Sequence, residues 1–296
     1  MRHAAPAEKA APGAVVLTSN KPTHGPSEHR ASERRQPMSW KLRAWTTHGI
    51  LSQMTTPSAA TGPVVTGDAA FQNEVLEDVA GAVNYHAWLV SLVEQQLGDN
   101  ALEIGSGTGE YGAALSVRGH SLTVSEAFGP SLVRLHERFA QDERVAVREL
   151  VVPSAESGCY SSVTAFNVLE HIPDDVAAVA SMARLVRPGG AIMLFVPAFD
   201  FLMSDYDRQV GHQRRYRSVG LRRLLEDAGL SVEHLHYVNA PGFFAWFVGM
   251  RLLKGRPKDG PALRAWDRFV MPPARRWETQ HRPPFGQSLF VVARRA

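Results

Sequence analysis

The stretch that decides the fold is Leu102-Glu103-Ile104-Gly105-Ser106-Gly107-Thr108-Gly109. Its first half is a short apolar strand, and a helical pattern over 109–118 follows it. Glycines let the backbone turn tightly and let a ligand approach without meeting a Cβ atom. The first N–H groups of the following helix can then bind a carboxylate or a phosphate. The stretch therefore predicts a strand, a turn and a helix that together hold the anionic end of a ligand.

Short apolar strands alternate with helical segments on both sides of this turn. The predicted strands span residues 100–104, 121–125, 145–151, 162–166, 191–196, 231–237 and 288–294. The predicted helices span residues 85–97, 109–118, 130–141, 174–185 and 219–228. This alternation indicates an α/β doubly wound fold, in which right-handed crossovers join mostly parallel strands.

Two segments lie outside the alternation. Residues 1–62 are rich in Ala, Pro, Ser, Thr and charged residues without a sustained apolar period, so we expect a disordered basic tail before a single domain over 63–296. The second segment, 238–287, separates the last two strands and contains an aromatic block and a helical pattern over 261–270. Such long connections are uncommon unless functional, so we expect this insertion to form a lid or an acceptor pocket.

Composition narrows the class of function. The tail carries five net positive charges, so the domain carries two net negative ones within a total of +3. A weakly acidic domain lacks the basic surface that binds nucleic acid. The longest uncharged apolar run, 240–250, is too short to span a bilayer, and the single Cys159 cannot form an intramolecular disulfide. We therefore expect a soluble cytoplasmic protein without a transmembrane segment or a nucleic-acid partner, and a homo-oligomer remains open.

Further motifs follow the glycine turn at the ends of other strands. Glu126 ends the second strand, where its carboxylate can accept hydrogen bonds from ribose hydroxyls. The sequence Asn-Val-Leu-Glu-His-Ile at 167–172 follows the fourth strand, and Arg-Pro-Gly-Gly at 187–190 precedes the fifth. Spacing alone does not identify the cofactor. Gly107, Gly109 and Gly112 also fit the dinucleotide fingerprint, and an acid after strand two can bind the ribose of NAD as well.

The four motifs in this order resemble those of the class I S-adenosylmethionine (SAM)-dependent methyltransferases. The resemblance covers roughly residues 80–237 and the last strand. It implies a Rossmann-like, seven-stranded sheet in the order 3-2-1-4-5-7-6, with strand seven antiparallel. It also implies that SAM lies across the carboxyl ends of strands one, two and four. The chain would then be an enzyme, a transferase that methylates a small-molecule acceptor.

The resemblance also implies which residues bind the cofactor. The glycine turn lines the methionine moiety, the acid after strand two binds the ribose, the loop after strand four passes beneath the sulfonium, and an early tyrosine caps the amino-acid end. The positions are Tyr85, Glu103, Gly105, Ser106, Gly107, Gly109, Glu126, Phe128, Asn167 and Leu169. Many relatives carry an Asp that binds the adenine amine near the end of strand three, where this chain has Val151, so Phe128 could supply stacking instead.

Candidate residues for the acceptor project from the same edge of the sheet. Glu170 and His171 follow strand four, beside the expected methyl group, and either could act as a base. A second cluster follows strand five. Its basic and aromatic members suit an anionic group such as phosphate, and its acids could hold a divalent cation such as Mg²⁺. The basic and aromatic members are His212, Arg214, Arg215 and Tyr216, and the acids are Asp205 and Asp207.

The aromatic block supplies an apolar wall through Phe243, Phe244, Trp246 and Phe247. A wall of this kind, a phosphate clamp and a carboxylate near the methyl group suit an alkene acceptor, because aromatic faces stabilise the carbocation that methylation creates. The combination resembles the geranyl diphosphate C-methyltransferases of actinobacterial pathways, which belong to isoprenoid secondary metabolism. Glu170 would remove the proton from the carbocation.

Other functions fit parts of the same pattern. An O-methyltransferase of a sugar, phenolic or lipid-linked intermediate would use His171 or His212 as its base. A non-catalytic SAM-binding protein would keep the glycine turn without turnover. A nicotinamide oxidoreductase would use the same turn, but no separate substrate domain is visible.

Overall fold

A computed structural model describes residues 81–127 and 129–296. The strands are β1 (Ala101–Ile104), β2 (Leu122–Glu126), β3 (Val145–Glu149), β4 (Tyr160–Phe166), β5 (Val186–Pro197), β6 (Leu230–Val238) and β7 (Ser288–Arg295). The helices are α1 (Val83–Val93), α2 (Glu110–Val117), α3 (Pro130–Phe139), α4 (Asp175–Leu185), α5 (Asp205–Gln209), α6 (Ser218–Asp227), α7 (Ala240–Trp246), α8 (Pro261–Phe269) and α9 (Met271–Gln280). The predicted tail over 1–62 lies outside the described residues.

The strands form one seven-stranded sheet in the order β3-β2-β1-β4-β5-β7-β6. Neighbouring strands from β3 to β5 run parallel, whereas β7 pairs antiparallel with both β5 and β6. This arrangement confirms the predicted fold class, strand order and strand direction. The carboxyl ends of β1, β2 and β4 therefore meet at one edge, where the glycine turn and the motifs after β2 and β4 come together.

Alternation along each strand divides the core between the two faces of the sheet. Leu102 and Ile104 belong to one cluster of buried apolar residues, whereas Ala101 belongs to a second cluster. In β5, Phe195 belongs to the second cluster and its neighbour Leu194 to the first. Successive strand residues point to opposite faces, so a strand buried on both sides reads as a continuous apolar run.

Strand β5 begins earlier than the sequence pattern predicts. The predicted strand starts at residue 191, but pairing with β4 already begins between Tyr160 and Val186. The register shifts between Tyr160 and Ser162, and Gly189 takes a left-handed backbone with φ of 76°. The motif over 187–190 thus lies within an irregular part of the strand rather than before it.

The insertion over 238–287 is helical. It contains α7, a π-helix over Phe247–Leu252, α8 and α9, and α8 matches the helix predicted over 261–270. Its helices attach to the rest of the domain through buried carboxylates. Asp267 accepts hydrogen bonds from the backbone N–H groups of Asn84 and Tyr85, at 2.8 and 2.9 Å. No helix in the described part of the chain is long and apolar enough to cross a membrane.

Candidate active site

One cavity of about 1330 Å³ opens at the carboxyl edge of the sheet. Its walls include the glycine turn, Glu126, Asn167 and side chains of the insertion such as Trp246 and Trp266. Pockets for a single small molecule usually measure about 300–1000 Å³. The cavity therefore has room for a cofactor and an acceptor side by side.

The glycine turn has the backbone that its sequence predicts. Gly105, Gly107 and Gly109 have φ values of 65°, 56° and 79°, a region that residues with a Cβ atom rarely adopt. A Cβ atom on Gly105 would lie 2.6 Å from Cγ2 of Val168, so the loop after β4 packs directly against the turn. Helix α2 has no side-chain cap at its N-terminus, which leaves its first N–H groups available to an anion.

Glu126 faces the cavity from the end of β2. Its Oε1 accepts a hydrogen bond from the N–H of Gly107 at 2.7 Å, and its Oε2 accepts one from Ala127 at 3.2 Å. Burial raises the pKa of Glu126, and these two hydrogen bonds oppose the rise. The carboxylate is thereby held against the glycine turn, and its remaining lone pairs are suited to hydroxyl donors.

The remaining predicted cofactor residues divide into three groups. Tyr85 and Asn167 line the cavity, and their contacts with the amino-acid end and the sulfonium of the cofactor stay predictions. Glu103 is only 2% exposed and lies against Gly112 of α2 instead of lining the cavity. Leu169 is fully buried in the apolar core and does not line the cavity, so its contact with the cofactor stays a prediction. Phe128 lies outside the described residues.

The cavity wall is apolar where many relatives carry an acid for the adenine amine. Val151 lines the cavity together with Leu150, Val152 and Pro153. The segment follows β3 and is anchored by the N–H of Leu150, which donates to the carbonyl of Glu126 at 2.9 Å. An adenine ring at this position would contact carbon atoms rather than a carboxylate.

Glu170 and His171 lie in a short 3₁₀-helix after β4, but only His171 reaches the cavity. Among the described residues, neither carboxylate oxygen of Glu170 has a hydrogen-bond partner, and Glu170 is 0% exposed. Burial raises the pKa of Glu170 to about 7. Burial and the neighbouring His212 lower the pKa of His171 to about 3, so its imidazole is neutral at physiological pH.

Asp207 organises the second predicted cluster. Its Oδ1 accepts hydrogen bonds from Nδ1 of His212 at 2.9 Å and from Nη2 of Arg215 at 2.8 Å, and its Oδ2 accepts from the N–H and hydroxyl of Ser204, both at 2.7 Å. Burial alone would raise the pKa of Asp207, but His212 and Arg215 outweigh it and hold the pKa well below its ordinary value.

The bond to Asp207 fixes the orientation of His212. With Nδ1 as donor, Nε2 carries the free lone pair and lies 3.8 Å from Oε1 of Glu170. The His212 side chain is 12% exposed and lines the cavity, and its ring is nearly perpendicular to that of His171, with centroids 4.6 Å apart. Of the predicted bases, His212 thus combines access to the cavity with a buried carboxylate partner.

The predicted Mg²⁺ pair of Asp205 and Asp207 does not form. Asp205 is exposed and pairs with Arg208 at 3.2 Å, whereas protein donors occupy both oxygens of Asp207. In the described ranges, the side chains that could hold a metal ion are Glu170, His171 and His212, whose ligand atoms all lie within 4.8 Å of one another.

The predicted phosphate clamp is divided between two sides of the chain. Arg215 and His212 line the cavity, but Arg214 pairs with Asp175 at 2.8 Å and Tyr216 donates to the same carboxylate at 3.0 Å. Arg214 and Tyr216 contact Asp175 and do not line the cavity, so a role for them in substrate binding stays a prediction that this arrangement does not favour. The guanidinium of Arg215 is bound by Asp207 and therefore unavailable as a simple anion clamp.

Of the predicted aromatic wall of Phe243, Phe244, Trp246 and Phe247, Trp246 alone lines the cavity. Its ring lies 4.8 Å from the guanidinium carbon of Arg215. Phe243 packs instead against a separate group of rings formed by Phe199, Phe201, Phe244 and Phe285. Helical spacing explains the division, because neighbouring residues of a helix point to different faces.

Several cavity residues escaped the sequence analysis. Tyr111 lines the cavity and stacks on Phe166 at a centroid distance of 4.1 Å. Trp266 enters from α8, and Arg256 and Lys258 enter from the segment before it. The position of Tyr111, two residues after the glycine turn, was a usable signal. The other three depend on how the insertion folds back.

Comparisons with known proteins agree with this geometry. A family model described as a methyltransferase domain matches residues 76–235, more than half of the chain. The ubiquinone biosynthesis O-methyltransferase of Pectobacterium atrosepticum is 27% identical over 164 residues, 49% of this chain and 68% of that protein. The enzyme of the same name from Xanthomonas oryzae pv. oryzae is 28% identical over 102 residues, which cover 33% of this chain and 42% of that protein, less than half of its length.

A solved structure shares the fold. Haemonchus contortus phosphoethanolamine N-methyltransferase 2, in complex with SAM, superposes with a TM-score of 0.51 at 14% identity, covering 77% of this chain and 59% of that one. At this identity the likeness concerns the fold alone. The match over 76–235 confirms the predicted family at the level of the domain: the chain belongs to the methyltransferase-domain family.

Proposed function

We propose that this protein is a SAM-dependent O-methyltransferase that acts on a hydroxyl group of a small amphipathic acceptor. The observation that carries the proposal is the Asp207–His212 pair, which opens into the same cavity as the glycine turn and Glu126. A donor site and a base thus share one cavity.

The residues present fit SAM. The uncapped N-terminus of α2 suits the carboxylate of its methionine moiety, Glu126 suits the ribose hydroxyls, and the apolar segment at Val151 suits the adenine ring. When bound, SAM supplies a methyl group as an electrophile. The aromatic side chains Tyr111, Trp246 and Trp266 around the cavity exclude water from this reaction.

His212 holds and moves the proton. Its Nε2 accepts the proton of the acceptor hydroxyl as the oxygen becomes the nucleophile, and Asp207 stabilises the imidazolium that forms. Glu170 lies 3.8 Å from the same nitrogen and adds a second buried carboxyl on that side. Asp207 thus orients His212, as the acid orients the base in a catalytic acid–histidine pair.

The geometry favours a hydroxyl acceptor over an alkene. Methylation of an alkene requires a base for the carbocation, and the predicted base Glu170 is fully buried and does not line the cavity. The predicted diphosphate clamp also loses Arg214 and Tyr216 to Asp175. The curated relatives are named O-methyltransferases, which supports the same choice.

The first experiment compares acceptors. The full chain is incubated with SAM and either phenolic or lipid-linked hydroxyl acceptors or geranyl diphosphate, and products are identified by mass spectrometry. We expect ethers from a hydroxyl acceptor. A C-methylated diphosphate without ether products would overturn the proposal.

Substitutions of His212 and Glu170 distinguish the mechanism for a hydroxyl acceptor from the mechanism for an alkene. His212→Asn should lower kcat by about 10²- to 10⁴-fold and leave SAM affinity within a few-fold, because it removes only the base. Glu170→Gln should retain most of the activity, whereas the alkene mechanism requires its loss. His136→Asn, at an exposed histidine of α3, is the matched control and should behave like the unaltered protein. Equal activity of His212→Asn and the control would contradict the assignment of the base.

A further inference from the structure

The helical segment that begins at Ala240 is apolar on two opposite faces. From residue 240 to 253 it contains one charged residue, Arg251. Gly242, Trp246 and Met250 lie four residues apart and line the cavity. The residues two positions further along lie on the opposite face, since four-residue spacing keeps side chains on one side of a helix.

That outer face is exposed. Its residues Phe244, Val248 and Leu252 are 57%, 49% and 57% exposed, and the adjoining Leu253 is 74% exposed. Phe201, 47% exposed, extends the surface, because its ring lies 5.9 Å from that of Phe243 in the same helix. A helix that is hydrophobic all round is normally buried, and a contiguous exposed apolar patch marks an interaction surface.

Positive charge surrounds the end of this apolar face. Residues 243–258 contain four cations and no acid. The cations are Arg251, Lys254, Arg256 and Lys258, and all four are exposed. Asp205 approaches the group from α5, with its Oδ2 3.9 Å from Nζ of Lys254. Apolar side chains on one face and Lys and Arg at its margin are the composition of a helix that lies in the interface of an anionic membrane.

We propose that residues 240–258 form a docking surface for an anionic lipid bilayer. The apolar face enters the boundary between headgroups and acyl chains, and the cations contact lipid phosphates. The charge pattern favours an anionic bilayer as the partner. An apolar patch bordered mainly by cations complements a bilayer, which is apolar inside and uniformly negative at its surface.

The same segment joins the docking surface to the cavity. Trp246 and Met250 line the cavity, whereas Phe244, Val248 and Leu252 of the same helical segment are exposed. An acceptor with an apolar chain can therefore pass from the bilayer into the cavity without crossing water. This delivery rests on the proposed function, whereas attachment to the membrane does not.

The test is cosedimentation of the full chain with vesicles, without SAM or acceptor. Vesicles of phosphatidylcholine with about one-third phosphatidylglycerol are compared with vesicles of phosphatidylcholine alone. The variants are Phe244→Asp with Leu252→Asp, and Lys254→Glu. The matched control is Val117→Asp, which places the same charge at a residue 88% exposed on α2.

We expect binding to the anionic vesicles and at least tenfold weaker binding to phosphatidylcholine alone. The double variant should bind at least tenfold more weakly, since each buried apolar side chain contributes about one tenfold step in affinity or more. Lys254→Glu should weaken binding about fivefold or more and reduce its sensitivity to salt, because it removes part of the electrostatic attraction that salt screens. Val117→Asp should bind like the unaltered chain.

Three results would overturn the proposal: no sedimentation with anionic vesicles, equal binding of the double variant and the control, or a dimer that uses this face and ignores lipid. Lys254→Glu keeps the test decisive should the double variant fail to fold, because Lys254 and its neighbour Asp205 both have exposed side chains, 74% and 57%, and an exposed ion pair contributes little to stability. Methylation of a water-soluble acceptor in detergent-free buffer is assayed separately. Its absence would count against the proposed function without affecting the lipid result.

Discussion

Gly105 shows, at the scale of one residue, why the cofactor turn requires glycine. Two separate restrictions meet there. The backbone φ of 65° disfavours any residue with a Cβ atom, and a Cβ atom would lie 2.6 Å from Val168. Gly119 isolates the first restriction, since its φ is 92° but a Cβ atom added there would have no neighbour within 4 Å. The two glycines therefore allow backbone strain and steric overlap to be measured apart.

Alanine at these glycines should give different losses. Gly119→Ala should lower the free energy of unfolding by about 1 kcal/mol through backbone strain. Gly105→Ala should lower it by a further ~1–3 kcal/mol through overpacking and should weaken SAM binding at least tenfold. Chemical denaturation and calorimetric titration provide the measurements. Val168→Ala in the Gly105→Ala background should recover part of the added loss, and no recovery would contradict the steric account.

Glu103 predicts a dependence of stability on pH. Burial, and then the charge of Glu126, raise the pKa of Glu103 from 4.5 to about 8. The unfolded chain releases this proton near pH 4.5 and the folded chain holds it to about pH 8, so stability is lost as pH rises across that interval. Glu103→Gln removes the titration and should raise the Tm at pH 8 relative to the unaltered chain, but not at pH 4.5. Glu149→Gln, at an exposed carboxylate of β3, is the control. If the Tm of all three proteins depended on pH in the same way, that result would argue against a buried titrating group at Glu103.

A metal ion should compete with the proposed base. Zn²⁺ bound by Glu170, His171 and His212 would occupy Nε2 of His212, the nitrogen that accepts the proton. We expect Zn²⁺ to inhibit methyl transfer in a manner reversed by a chelator, and Glu170→Gln to require at least tenfold more Zn²⁺. Activation by Zn²⁺, or loss of activity after treatment with a chelator alone, would show that the cluster works as a metal centre.

At the scale of elements, the insertion supplies buried carboxylates to the N-termini of two helices. Helix α1 has no side-chain cap, and Asp267 of α8 accepts from the N–H groups of its first residues. Glu278 of α9 similarly accepts from the N–H groups of Asn239 and Ala240 at the start of α7, at 2.9 and 2.8 Å. Buried carboxylates at helix N-termini satisfy unpaired donors and interact favourably with the helix dipole.

Removal of one such cap should release α1. Asp267→Ala should lower the free energy of unfolding by about 1–3 kcal/mol, because it leaves two N–H groups without their partner. Hydrogen exchange should increase first in α1, and SAM binding should weaken because Tyr85 belongs to that helix. Asp259→Ala, which removes only an exposed ion pair with Arg264, should change little. Equal effects of the two substitutions would contradict a capping role for Asp267.

At the scale of the whole molecule, ligand binding and folding are coupled through the cavity. Its walls come from both ends of the domain, with Tyr85 near the first described residues and Ser288 on the last strand. A ligand that binds only the folded protein stabilises it by about 2.7 kcal/mol at a hundred times its Kd. For a domain of this size, S-adenosylhomocysteine at that excess should raise the Tm by about 5–10 °C. NAD(H) at the same concentration should produce no shift, and the reverse pattern would favour an oxidoreductase.

Adjacent arginines illustrate how far the sequence analysis reached into the site. It identified the cluster after β5 and its place at the carboxyl edge. The sequence pattern does not tell which members of the cluster face the cavity, because successive residues of an extended segment point in opposite directions. Arg215 turns to Asp207, whereas Arg214 and Tyr216 on either side turn to Asp175. The aromatic block divides in the same way, with Trp246 toward the cavity and Phe244 toward the surface.

The sequence by itself determined the glycine turn, the acid after β2 and the alternation of strands and helices. These features depend on local backbone demands and on periods of two and 3.6 residues, which neighbouring letters express directly. Only the tertiary structure decided that His212 rather than Glu170 reaches the cavity, and that the insertion presents an apolar face outward. Those outcomes depend on how each segment is rotated against distant ones such as Asp175 or α8. Packing between segments far apart in the chain sets that rotation.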